Sequence, residues 1–216
     1  MTADLATVII AASESDSNLY YATRFIAPDP FIFLSIKGER ILVMSDLEMD
    51  RARSTATVDR VLSLSEVERR VKSRGNGRPG TADVVHAVLQ EHEIRHLVVP
   101  RTFPYAYAAR LLELGYQIDT GKEPFFEPRA IKTDEEVRHI EAAQRATEEA
   151  VAAAHAALRT AQVKDGLVWL EGEPLTSERI KKLINVTLME RDCVAQHTIV
   201  AGGDQACDPH HEGSGP

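Results

Sequence analysis

Cysteine is scarce in this chain: two residues in 216, Cys193 and Cys207, far from any C-x-x-C spacing. That excludes a disulfide framework and reads as reduced thiols in a cytoplasmic protein. Positive charge is in the minority, with 25 Lys and Arg against 33 Asp and Glu for a net charge of −8. A protein whose business is coating nucleic acid or an anionic membrane would carry the opposite balance. No window approaches the roughly 20 apolar residues that span a bilayer. The first residues, MTADLATVIIAASESD, lack the basic start and long apolar core of a secretory peptide.

What is present is an ordinary globular composition, 44% hydrophobic and 27% charged. Such a length holds one large domain or two small ones, with a sizeable core. The first half alternates strand and helix patterns. ATVIIAA (6–12) is a short β-branched run of the kind that forms a buried strand. FIFLSI (31–36) and ERILVMS (39–45) flank Lys37-Gly38, which predicts a hairpin. A helix over 47–55, a strand over 58–65, and a glycine-rich basic loop over 72–80 follow. Next come a helix from the Thr81 cap with apolar residues at 84, 85, 88 and 89, and a strand over 96–100. A helix ended by Gly115 and a strand over 116–120 complete this half. The expected class is α/β, mostly βαβ units with one antiparallel hairpin.

Residues 121–132, GKEPFFEPRAIK, carry two prolines without helical period and read as a connector, placing one domain at 1–125 and a second at 126–216. Thr133 with Glu136 predicts a capping box for a long helix, and Asp134 and Glu135 suit its positive end. Val137, Ile140, Ala143, Ala150, Val151, Ala154 and Leu158 mark its expected apolar side. A second helix should begin near Thr176, with Leu175 and Ile180 as a hydrophobic staple and Ile180, Leu183, Ile184 and Leu188 as its inner stripe. CVAQHTIVAGG (193–203) reads as a strand running into a turn.

Several groups could carry chemistry. GNGRPG satisfies neither phosphate-loop pattern and reads as a surface loop. His92 and His96 have i, i+4 spacing, but Ile94-Arg95 is already leaving the helix, so with His86 they read as solvated surface. His139 and His155 face outward from the long helix or sit on its flank, and no role is read for them. Asp204 and Asp208 could be pictured as a carboxylate pair, yet the glycines and proline around them argue for turn caps. His210 differs: a histidine on a constrained loop is placed to hydrogen-bond a developing oxyanion or to shuttle a proton.

PRAIKTDEEVRHIEAAQRATEEAVAAAH, LTSERIKKLINVTLMERD and TIVAGGDQACDPHHEGSGP together resemble successive segments of the M24 metallopeptidases, the prolidase, Xaa-Pro aminopeptidase, creatinase and methionine aminopeptidase group. SNLYYAT and ILVMSDLEMDRAR are similar to the N-terminal domain of the prolidase and Xaa-Pro aminopeptidase branches. The resemblance implies a creatinase-type N-terminal α/β domain followed by an incomplete pita-bread (α+β) catalytic domain, truncated after two helices and a first strand and loop. It implies hydrolysis of peptide bonds next to proline, and a homodimer. By position, His210 matches the family histidine that contacts substrate or the tetrahedral intermediate, and His211 has no family role. Two divalent ions (Mn, Co or Zn) are expected in the full-length protein, held by two aspartates, a histidine and two glutamates. None of the five falls within 1–216, so the expected site residues here include no metal ligand, and the fragment is expected to be inactive. Apolar surface of the alanine-rich helix is then expected to be exposed. A metal-free creatinase-like amidinohydrolase and a non-catalytic binding or dimerisation module are the alternatives.

Overall fold

A computed structural model describes residues 5–75 and 77–216. Residues 1–4 of the N-terminal stretch and Asn76 of the glycine-rich loop lie outside them. The chain forms two compact units, Met1–Ala130 and Ile131–Pro216.

The first unit is built on β1 (Leu5–Ala11), β2 (Phe31–Ile36), β3 (Glu39–Met44), β4 (Arg60–Ser63), β5 (His96–Val99) and β6 (Gln117–Thr120). They form one sheet in the order β4-β3-β2-β1-β5-β6. Its helices are α1 (Ser17–Thr23), α2 (Met49–Thr55), α3 (Leu64–Ser73), α4 (Thr81–Glu91) and α5 (Tyr105–Glu113). Side chains alternate along the central strands. Ala6, Val8 and Ile10 of β1 with Ile32, Leu34 and Ile36 of β2 face the core under α3, α4 and α5. Ile9 with Phe31, Phe33, Leu42 and Met44 face α1 and α2. Burial on both faces explains why these strands read as unbroken apolar runs.

The β2–β3 hairpin forms at the expected turn, with φ of 51° at Lys37 and 91° at Gly38, the left-handed pair such a turn requires. The sheet departs from expectation at β1, because β2 runs against both of its neighbours. The β1–β2 connection folds back on itself instead of crossing the sheet. Asp16 caps α1, Arg24 ends it in the left-handed conformation, and Ala27 N–H donates to Ser13 Oγ at 2.8 Å across the two limbs.

Two further corrections concern α3, where no helix was expected, and the start of α4. The strand expected over 58–65 stops at Ser63, where α3 begins. Ser63 Oγ accepts from Glu66 N–H at 3.1 Å and its hydroxyl donates to Asp46 at 2.5 Å. Ser65 donates to the other Asp46 oxygen, and these bonds, Ser63's first, hold the Asp46 carboxyl below its ordinary range. The cap of α4 is Gly80, one residue before Thr81, because the Asp83 carboxylate accepts the Gly80 N–H at 2.8 Å. The inner residues Val84, Val85, Val88 and Leu89 are buried as expected. Beyond β6, Phe125 and Phe126 pack on the α1/α2 side of the sheet, with Tyr21 and Phe126 ring centroids 5.7 Å apart.

The second unit opens with α6 (Asp134–Thr160), whose capping box is made in both directions between Thr133 and Glu136. A three-stranded antiparallel meander follows: β7 (Gln162–Lys164), β8 (Leu167–Leu170) and β9 (Glu173–Pro174). Its turns, Asp165-Gly166 and Glu171-Gly172, all have positive φ. α7 (Ser177–Met189) is capped by Thr176, and the staple residues Leu175 and Ile180 are buried. Arg179 ties it to the meander by donating to the carbonyls of Leu170, Glu173 and Pro174.

The buried side of α6 is narrower than its sequence pattern implies. Ala146, Ala150 and Ala154 are buried, whereas Val137, Ile140, Val151 and Leu158 are 41%, 55%, 44% and 51% exposed, and Ala143 is exposed. Alanine at every fourth position is the strip on which a single helix can lie closely. The larger residues flanking it remain in solvent. The strand expected over 193–203 is not formed: its backbone is irregular, and Val200 N–H donates to Glu212 O at 3.1 Å without extending into a ladder. Among the described residues no helix is long and apolar enough to cross a membrane.

Leu34 is fully buried at the centre of the sheet. Leu34→Ala is expected to destabilise the protein by about 2–5 kcal/mol through lost transfer energy and a residual cavity, read from urea unfolding.

Candidate functional site

The residues around His210 are organised from the start of α7. The first N–H groups of a helix lack partners within it. Thr176 Oγ1 accepts from Arg179 N–H at 3.3 Å, and Gly215 O accepts from Ser177 N–H at 2.9 Å. In return the Glu178 carboxylate accepts from Gly215 N–H at 3.0 and 3.2 Å. Its own backbone N–H, then that of Gly215, hold the Glu178 carboxyl below its ordinary range. Lys181 Nζ donates to Gly213 O at 2.9 Å. Gly213 is buried with φ of 84°, and a Cβ there would lie 1.6 Å from the carbonyl oxygen of Val200. Residues 212–215 are therefore a packed segment, fastened by main-chain bonds.

Within the loop, a short 3-10 turn spans Gly203–Cys207. Asp208 does what the glycines and proline around it implied and caps a turn. Its carboxylate accepts from His210 N–H at 2.9 Å and its carbonyl from His211 N–H at 3.1 Å. Asp204 is exposed on the 3-10 turn. His211 Nδ1 accepts from Gly213 N–H at 2.9 Å, which leaves Nε2 to carry the proton of the neutral ring. His210 is exposed, and its ring has no hydrogen-bond partner among the described residues. The loop thus displays one imidazole outward from a fixed main chain. It follows the 3-10 turn, and the strand that the sequence pattern had placed before that turn, over 193–203, is not formed.

His86 Nδ1 lies 2.8 Å from the Tyr116 hydroxyl. Burial, aided by Arg95, pushes the His86 pKa down, and burial pushes the Tyr116 phenol up to about 12. His96 pairs with Asp119 at 2.6 Å across β5 and β6. His92 ends α4, and Glu93 in the left-handed conformation breaks the helix before the i, i+4 pair can share a face. His139 and His155 are exposed on α6. Both cysteines are free, Cys193 half-buried and Cys207 exposed.

Whether these residues suit a divalent ion is decided by their grouping. Among the described residues no three His, Cys, Asp or Glu side chains come together as a metal site. The Asp208 carboxylate accepts the His210 N–H, and Asp204 has no ligand-type neighbour in such a group among the described residues. The residues present do not fit a dinuclear centre. Sequence patterning missed Glu178, Lys181, Gln205 and Gly213. Only the glycine carried a signal, and it sat in a stretch rich in glycine.

No family model and no curated protein matches this chain. Solved structures do. A prolidase from Pyrococcus furiosus matches with a TM-score of 0.69 at 17% identity, over 97% of this chain and 52% of that one. An X-Pro aminopeptidase from Thermotoga maritima MSB8 matches with a TM-score of 0.69 at 18% identity, over 97% and 53%. A Xaa-Pro dipeptidase from Bacillus anthracis matches with a TM-score of 0.72 at 15% identity, over 97% and 51%. The mixed α/β fold defined above is thus one found in prolidases and Xaa-Pro aminopeptidases, the proteins to which the motif resemblance pointed. The chain spans about half the length of these structures.

Two outcomes are expected. Gly213→Ala should cost about 1–2 kcal/mol from the left-handed backbone alone, with the clash against Val200 in addition. It should release 212–215, seen as faster amide exchange at Val200 and Gly215 with the first unit unchanged. His86, with its folded pKa below the ordinary 6.5, binds more protons unfolded than folded. Its contribution is therefore fully present above about pH 6.5 and is lost as pH falls below it. Urea midpoints at pH 7.5 and 5.5 should differ less in His86→Gln than in the parent.

Proposed function

We propose that this chain is the front half of a Xaa-Pro metallopeptidase, a hydrolase of peptide bonds next to proline. The observation that carries the reading is the match of 97% of the chain to about half of each prolidase and Xaa-Pro aminopeptidase named above. The agreement of that fold with the independent motif resemblance over 129–137 and 198–210 supports it. In this reading 1–125 is the N-terminal domain and 126–216 the start of the catalytic domain.

His210 is the residue of this chain that meets the substrate. Its ring faces outward from a pinned main chain, so it can donate a hydrogen bond to an oxygen on which charge develops in the transition state. Two divalent ions belong to the reading at the level of the whole protein. The described residues of 1–216 do not make such a site. The 216-residue chain alone is accordingly proposed to lack turnover. Homodimerisation and a cytoplasmic location complete the reading.

The test is to sequence the coding DNA past codon 216 and to assay both the 216-residue chain and the longer product. Xaa-Pro dipeptides and longer peptides with Mn²⁺, Co²⁺ or Zn²⁺ are the substrates and ions to use. Turnover by the longer product alone, reduced about 10²–10³-fold in kcat by His210→Ala, is the expected result. Mn²⁺-dependent turnover by the 216-residue chain that requires His210 would refute its inactivity. A reading frame lacking ligand-type aspartates, histidine and glutamates would sink the hydrolase reading, in favour of a binding module or creatinase-like chemistry.

A further inference from the structure

We propose that Gln205 is a positioning residue for His210, clasping the main chain of Ser214 and closing the loop that carries the histidine. The inference rests on the reading of His210 just given.

Gln205 uses both ends of its amide on one residue. Its Oε1 accepts from Ser214 N–H at 2.9 Å, and its Nε2 donates to Ser214 O at 3.0 Å. A neighbouring strand makes the same paired contact with its donor and acceptor, so the side chain stands in for a missing rung. The clasp joins the 3-10 turn on one side of His210 to the segment on its other side. Between the two anchor points the turn at Asp208 holds the His210 and His211 amides, and His211 Nδ1 receives Gly213 N–H. Outside the clasp the same segment is fastened to α7 by Lys181 and Glu178. Gly213 rests against the backbone of Val200 and Ala201.

This arrangement separates two properties of His210. Its main chain is held from both sides, while its ring remains exposed. A group that must meet a reacting atom within about 0.5 Å gains from support of this kind, since a ring on a free tail would have to be ordered at each encounter. Cutting the clasp should therefore loosen the ring without touching it. A glutamine that merely stabilised the unit would change the melting temperature and leave the ring's environment alone.

Amide exchange and imidazole NMR spectra of the 216-residue protein test this. In the parent, the Ser214 amide should be protected. In Gln205→Ala its exchange should rise about tenfold or more, as for loss of a hydrogen-bonded closure. The His210 ring signal should broaden or shift, and the His155 ring signal should stay. Ser214→Ala retains both main-chain contacts, loses only the long 3.5 Å contact of Gln205 Nε2 with the Ser214 hydroxyl, and should stay close to the parent. Gln205→Glu keeps the acceptor and loses the donor, so it should lie between. An unprotected Ser214 in the parent overturns the proposal, as does an unchanged His210 signal in a folded Gln205→Ala protein. If Gln205→Ala unfolds the second unit, parent protection and Gln205→Glu decide the matter. The two readings fail separately. A His210→Ala variant with undiminished turnover in the longer product overturns the role of His210 and leaves the clasp measurable. An unprotected Ser214 overturns the clasp whatever His210 does.

Discussion

Burial of one sheet on both faces is the constraint from which the rest of the first unit follows. β1, β2 and β3 alternate their side chains between two apolar cores. A helix must therefore cover each face, and a strand shifted by one residue would exchange the two cores wholesale. The reversed direction of β2 fits the same demand. Its fold-back connection, pinned at Ser13 and Ala27, returns the chain beside β1 with Phe31 and Phe33 on the α1/α2 side.

The second unit is held on different terms. Its buried apolar set is small: Ala146, Ala150, Ala154, Leu175 and Ile180, with half-buried neighbours such as Val168, Leu170 and Ile184. Polar fastening carries more of the organisation. Arg179 gathers three carbonyls, and Glu178 and Lys181 take up the main chain of 213–215. Exposed valine, isoleucine and leucine flank the alanine strip of α6. The physical contrast is between a core closed on itself and a smaller unit in which α7 is tied by hydrogen bonds to an otherwise irregular segment.

That contrast bears on chemistry. An exposed imidazole becomes useful when its position is determined by something other than its own contacts. At His210 the determinants are backbone bonds, a glutamine side chain and a glycine too close to its neighbour to accept a Cβ. Metal chemistry would require additional groups, since the carboxylates nearby are engaged in turns or stand apart. The fold is the one found over about half the length of several prolidases and Xaa-Pro aminopeptidases.

Local physics was legible in the amino-acid sequence wherever a feature had a period or a fixed short spacing. The Lys37-Gly38 turn, the Thr133–Glu136 box, the Leu175–Ile180 staple and the alternating apolar strands depend on residues within a few positions of one another. The helix α3 was missed altogether, because Ser63 ends a strand and caps a helix at once, so the strand reading ran on to 65 and the loop reading took in Lys72 and Ser73. The meander was obscured by strands as short as two residues, although its Asp-Gly turn was in plain view. By itself the sequence determined which segments could be buried, where helices could start, and that His210 sits beside turn-forming residues. Tertiary structure alone decided the direction of β2, which apolar residues of α6 are covered, and how 212–215 are fastened. Those outcomes rest on hydrogen bonds and backbone approaches between residues distant in the chain, such as Lys181 with Gly213 and Glu178 with Gly215, which impose no periodicity on either partner.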